Sequence, residues 1–107
     1  MAADLDGDFA HLAESLQQLI GLLEEGGDRF WVGAFRRGLI QVEAHRLSGA
    51  TFVLGCYGGV DTFSDFVLAP DLEAREPLSY RNLNARLAEL RTRTFEAANA
   101  IAARRNW

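Results

Sequence analysis

Tyr57-Gly58-Gly59-Val60-Asp61-Thr62-Phe63-Ser64-Asp65-Phe66-Val67-Leu68 is the one stretch of this chain that does not follow a helical repeat. A glycine pair breaks the chain, two acids follow four residues apart, and apolar residues return. On both sides the apolar positions recur at three-and-four spacing, the signature of helices with one buried face. The expected fold is therefore all-α. It is a four-helix, mostly antiparallel bundle with a long irregular excursion between helices three and four.

Upstream, Phe9, Leu12, Leu16, Leu19 and Leu23 form a stripe that Ile20 and Leu22 widen. The pattern predicts a first helix, capped by Asp6 or Asp8 and running to about Glu25, with residues 1–7 as a frayed leader. Gly26-Gly27 ends it, since glycine accepts the left-handed conformation of a helix C-terminus. Asp28 caps a second helix over about Arg29–His45, whose stripe is Trp31, Phe35, Leu39 and Val42. The short connection makes these two helices a hairpin. Ser48 caps a short third helix through Thr51, Phe52, Val53, Leu54 and Cys56, apolar nearly all round and so expected to be internal. A strand over residues 51–53 is the competing reading.

Downstream, Pro70 and Pro77 bracket the acidic stretch Asp71, Glu73 and Glu76, which is expected to be a loop. The last helix begins near Ser79 or Asn82 and runs to about Arg105. Leu83, Leu87, Leu90, Thr94, Ala97 and Ile101 form its buried face.

A length of 107 residues implies a single domain, and 49% apolar with 24% charged residues is the balance of a globular one. Net charge is −4, which argues against a nucleic-acid surface. Acids gather at the N-terminus, and arginines at Arg81, Arg86, Arg91, Arg93, Arg104 and Arg105, where Glu89 and Glu96 interrupt them. All basic residues are arginine and none is lysine, consistent with GC-rich coding in a bacterium. Cys56 is alone, so no intrachain disulfide forms. No signal peptide is apparent, and no apolar run approaches the about 18 residues that span a membrane. A cytoplasmic protein is expected.

The chemistry-bearing residues divide between catalysis and support. Asp61 and Asp65 would share a helical face and serve acid–base or cation chemistry; as caps they would instead accept backbone amides. Tyr57 has a polar tip that needs a partner if buried, with Asp61 or Asp65 in reach. His11, Glu43, His45 and Cys56 do not converge as a zinc site requires, and Cys56 in an apolar helix reads as a small hydrophobe. No phosphate-loop lysine follows Gly55, Gly58 and Gly59. Neither metal nor cofactor is expected. Tyr57, Gly58, Gly59 and Asp65 are assigned to shaping the turn.

Gly26, Trp31, Tyr57, Gly58, Gly59, Asp65, Val67 and Leu68 resemble the pattern of a family of short uncharacterised bacterial helical proteins. In that family a Tyr-Gly-Gly-hydrophobic turn precedes an Asp and an apolar triplet. The resemblance spans roughly residues 12–103. Val60-Asp61 and Ser64 depart from the Met-Gly and Asn expected there. It implies a helical fold and no activity.

The expected function is a non-enzymatic protein-binding module, immunity-protein-like or antitoxin-like. It would cover a toxin's basic cleft with Asp61, Asp71, Glu73 and Glu76. A homo-oligomeric structural or regulatory helical protein, a homodimer zipped through its first and last helices, is the alternative. A small enzyme using Asp61, Asp65 and Tyr57 is the third reading.

Overall fold

The computed structural model describes the backbone of residues 2–58 and 62–105 and the side chains of residues 5–58 and 62–104. Regular structure among them is helical throughout: α1 (Ala2–Glu25), α2 (Phe30–Glu43), α3 (Leu47–Gly55), a 3₁₀ turn (Phe63–Asp65), α4 (Leu72–Arg75) and α5 (Pro77–Arg105). Residues 51–53 are helical, so the strand reading does not hold.

The whole predicted α1 stripe is buried. The helix begins at Ala2, however, and takes in most of the stretch expected as a frayed leader. Asp6 and Asp8 therefore do not cap it. Asp8 pairs with Arg104 of α5, and Asp6 lies 3.2 Å from His45 Nδ1 beyond α2. Acids in these early turns also favour the positive end of the helix dipole.

Gly27 and Asp28 stop α1, and Asp28 also starts α2. The Asp28 amide donates to the Leu23 carbonyl and the Gly27 amide to that of Glu24, with Gly27 left-handed at φ 82°. These two bonds make a Schellman cap. The Asp28 carboxylate then accepts the Trp31 amide at 2.7 Å and the Val32 amide at 3.4 Å, capping α2 as expected. α2 ends with the same pair of bonds, Arg46 to Gln41 and His45 to Val42. Here the left-handed residue is His45 (φ 55°), a conformation that costs a side chain about 1–2 kcal/mol. Stacking of its ring on Phe9 at 5.0 Å offsets that cost.

α3 is less internal than its composition implies. Only Gly49, Ala50 and Val53 are buried, while Thr51 and Phe52 face outward. The helix is seated by backbone proximity: a Cβ on Gly49 would stand 2.7 Å from the Val42 amide nitrogen. Ser48 lies inside the helix and donates to Gln41 Oε1 at 3.2 Å, so it is not the cap.

α5 starts earlier than expected because Pro77 occupies its first position, where a missing amide hydrogen costs nothing. Leu87, Leu90, Thr94, Ala98 and Ile101 are buried; Phe95 is partly exposed. α1 packs against α2 and α5, and α3 packs against the same two. As α1 advances from Asp8 through Gln18 to Glu25, its partners on α5 recede from Arg104 through Arg93 to Arg86. Exposed pairs of this kind contribute little stability, but they record the register.

Candidate functional site

The excursion between α3 and α5 is bound into the core at several points. α3 stops at Gly55, three residues before the glycine pair, and Tyr57 continues it only as a turn, its amide reaching the Leu54 carbonyl at 3.1 Å. Gly59, Val60 and Asp61 lie outside the described residues, so the parts given to Gly59 in the turn and to Asp61 at a partner surface fall there too. On the far side, Phe63 donates its amide to the Cys56 carbonyl at 3.0 Å, and Ser64 Oγ donates to the Tyr57 carbonyl at 2.6 Å. Both ends of this loop are thus fastened together. Asp65 closes the 3₁₀ turn instead of opening the next element.

Phe63 is fully buried and is the hub of an aromatic cluster. Its ring centroid is 4.7 Å from that of Phe35, 5.2 Å from Trp31 and 5.5 Å from Tyr57. Such offset and edge-on pairs add about 0.5–1.5 kcal/mol each beyond area burial. Arg91 of α5 covers the cluster with its guanidinium carbon 5.7 Å from the Phe63 centroid. Its Nη1 donates to the carbonyls of Phe63 (3.0 Å) and Phe66 (2.9 Å). One charged side chain therefore satisfies two carbonyls of irregular backbone.

The sequence puts Asp61 or Asp65 in reach of the Tyr57 hydroxyl; Asp61 lies outside the described residues, and the hydroxyl donates to the Arg91 carbonyl at 2.7 Å. Burial pushes the phenol's pKa up, opposed by the charge of Arg91, so Tyr57 is a neutral donor. Burial likewise raises the Cys56 thiol, against a smaller opposite effect of Arg37. The thiol is 3.4 Å from the Phe52 carbonyl. It lacks the depressed pKa of an activated nucleophile.

Leu68, fully buried, is the second anchor. It packs onto Gly26 so closely that a Cβ there would overlap its side chain. Asn84 of α5 accepts the Leu68 amide and donates to the Leu68 carbonyl. The chain then passes through Ala69, left-handed at φ 49°, into Pro70 and α4. The acidic stretch is not all loop, since Leu72–Arg75 forms a helical turn with no buried residue. Asp71, Glu73 and Glu76 are all exposed. Asp71 pairs with Arg75 at 2.9 Å, and Glu76 accepts from Ser79 Oγ at 3.5 Å. Val67 and Leu78, at the two ends of this acidic stretch, are exposed apolar side chains.

Sequence reading singled out neither Asn84 nor Leu78, and placed Arg91 only among the basic residues of the last helix and Val67 only in the family pattern. The available signal was a second row on α5, Tyr80, Asn84, Leu87, Arg91 and Phe95, at spacings of three and four beside the core stripe. An asparagine inside a long helix is a poor helix former and marks a side chain with another task.

Among the described residues no three His, Cys, Asp or Glu side chains are grouped to hold a metal ion, and no helix is long and apolar enough to cross a membrane. Comparison with protein-family models, curated proteins and solved structures finds no significant match.

Proposed function

We propose that this chain is a non-enzymatic binding module, an immunity-like or antitoxin-like bacterial protein that acts in the cytoplasm on a protein partner. The observation that carries the reading is the mounting of the acidic segment. Exposed Asp71, Glu73 and Glu76 follow directly on a backbone clamped by Leu68, Asn84 and Arg91. A preorganised surface loses less entropy on binding than a loose loop. Exposed Val67 and Leu78 add the apolar contact that interfaces combine with a polar rim. In this reading the acids, with Asp61, steer and pair with the basic cleft of a toxin. The four substantial helices form a mostly antiparallel bundle, and the resemblance to the short bacterial helical family belongs to the same proposal.

The enzyme reading is weaker, because the Tyr57 hydroxyl is engaged by a helix carbonyl and its phenol is held neutral. The test is co-expression with the product of the adjacent gene. Wild-type chain restores growth of cells that the product alone arrests. No toxin-like neighbour across several genomes, or no rescue, sinks the proposal.

A further inference from the structure

Opposite the buried side of α2, Phe30, Gly33, Arg37, Ile40 and Ala44 recur at alternating three and four, and none is buried. They form one outward row. Phe30 is 71% and Ile40 64% exposed, high values for large apolar residues. Phe52 of α3, 40% exposed, packs over Gly38, the buried chain neighbour of Arg37, its ring so close that a Cβ there would stand 3.0 Å away. Arg37 runs back along the row, its Nη1 3.8 Å from where a Gly33 Cβ would be. Arg29 and Arg46 are exposed at its two ends. None of these three arginines makes an ion pair among the described residues. Glu43, the exposed acid of α2, turns to Gln17 of α1.

This face is therefore apolar with unpaired positive charge at its centre and ends. Two copies of it cannot pack on each other, since like arginines would meet. Its complement is an exposed acidic segment with apolar flanks. The chain carries one: three acids against one arginine over Asp71–Glu76, between exposed Val67 and Leu78.

We infer that the chain self-associates head to tail, the α4 segment of one copy seated on the α2–α3 face of the next. Glu73 and Glu76 meet Arg37, and Leu78 and Val67 meet Ile40 and Phe52. Each contact leaves one face of either kind open, so the assembly closes into a ring or extends. Self-association also covers the acids assigned above to the partner, a consequence that rests on the proposed function and makes the two contacts mutually exclusive.

Analytical ultracentrifugation of the full chain over a concentration series tests this, with thermal melts confirming that the surface variants fold. The expected wild-type mass rises with concentration and falls back with added salt. R37E alone and the E73R/E76R variant alone stay monomeric. Their mixture pairs the intact α4 segment of the first with the intact α2–α3 face of the second, sets the two reversed surfaces against each other with opposite charge, and regains self-association. A wild-type monomer at every concentration, an oligomer indifferent to both reversals, or a mixture no heavier than its components would each overturn the inference. R37E keeps the acids of α4, so its rescue of growth is retained. Failure of self-association is thereby separable from failure of the partner reading.

Discussion

Asn84 serves Leu68 as a neighbouring strand would: its Oδ1 accepts the Leu68 amide at 2.8 Å while its Nδ2 donates to the Leu68 carbonyl at 2.9 Å. Both groups belong to irregular backbone next to a buried side chain, where an unpaired donor or acceptor is costly. Asn84→Ala removes both bonds, and the expected loss is about 1–3 kcal/mol in urea denaturation. Amide exchange accelerates selectively around residues 66–72. Asn84→Asp does not rescue, because it sets a carboxylate against the Leu68 carbonyl. An Asn84→Ala chain with unchanged midpoint and exchange would refute the clamp.

Gly26 exists to admit Leu68. Gly26→Ala introduces a methyl that overlaps the Leu68 side chain, with an expected cost of about 1–3 kcal/mol. Leu68→Ala alone empties a buried site and costs about 2–5 kcal/mol. The double variant is expected to lose less than the two losses combined, since the new methyl enters the space that Leu68 vacates. Simple additivity in chemical denaturation would show that the two residues do not share this space.

Tyr57→Phe removes the bond to Arg91 and costs about 1 kcal/mol near neutral pH. The pH dependence has a definite sign. The folded phenol keeps its proton above the ordinary tyrosine value of 10.0, whereas the unfolded chain releases it there. Above that pH the unfolded state binds fewer protons than the folded state, so stability falls as pH rises. The advantage of wild type over Tyr57→Phe is therefore full below pH 10.0 and shrinks above it. Parallel stability curves for the two proteins through that range would contradict the assignment.

Thr94 is fully buried in the α5 core, and its hydroxyl has no hydrogen-bond partner among the described residues. Thr94→Val keeps the shape and removes the unsatisfied group. The expected gain is about 1 kcal/mol, read as a higher melting temperature. A lower one would place an unseen partner at that hydroxyl.

The helices were legible because burial follows their periodicity: every residue of the α1 stripe is buried. So were the Gly27 stop and the Asp28 cap, whose chemistry is local. The fastening of the excursion was not. Tyr57 finds its acceptor 34 residues away, and Arg91 finds Phe63 and Phe66 across 28 and 25. Such pairings depend on tertiary placement. α3 misled for a related reason: its apolar residues suggest burial all round, but Gly49 brings only one face against α2 and leaves Phe52 outside. Likewise Pro77, taken as a loop boundary, initiates α5.

The most direct test of the account is calorimetric titration of the adjacent gene's product with wild type and with the Asp71→Ala, Glu73→Ala, Glu76→Ala triple variant. The exposed position of all three predicts an unchanged fold and melting temperature. Affinity is expected to fall by roughly tenfold or more, equivalent to at least about 1.4 kcal/mol. A folded triple variant that binds as tightly as wild type would contradict the assignment of this surface.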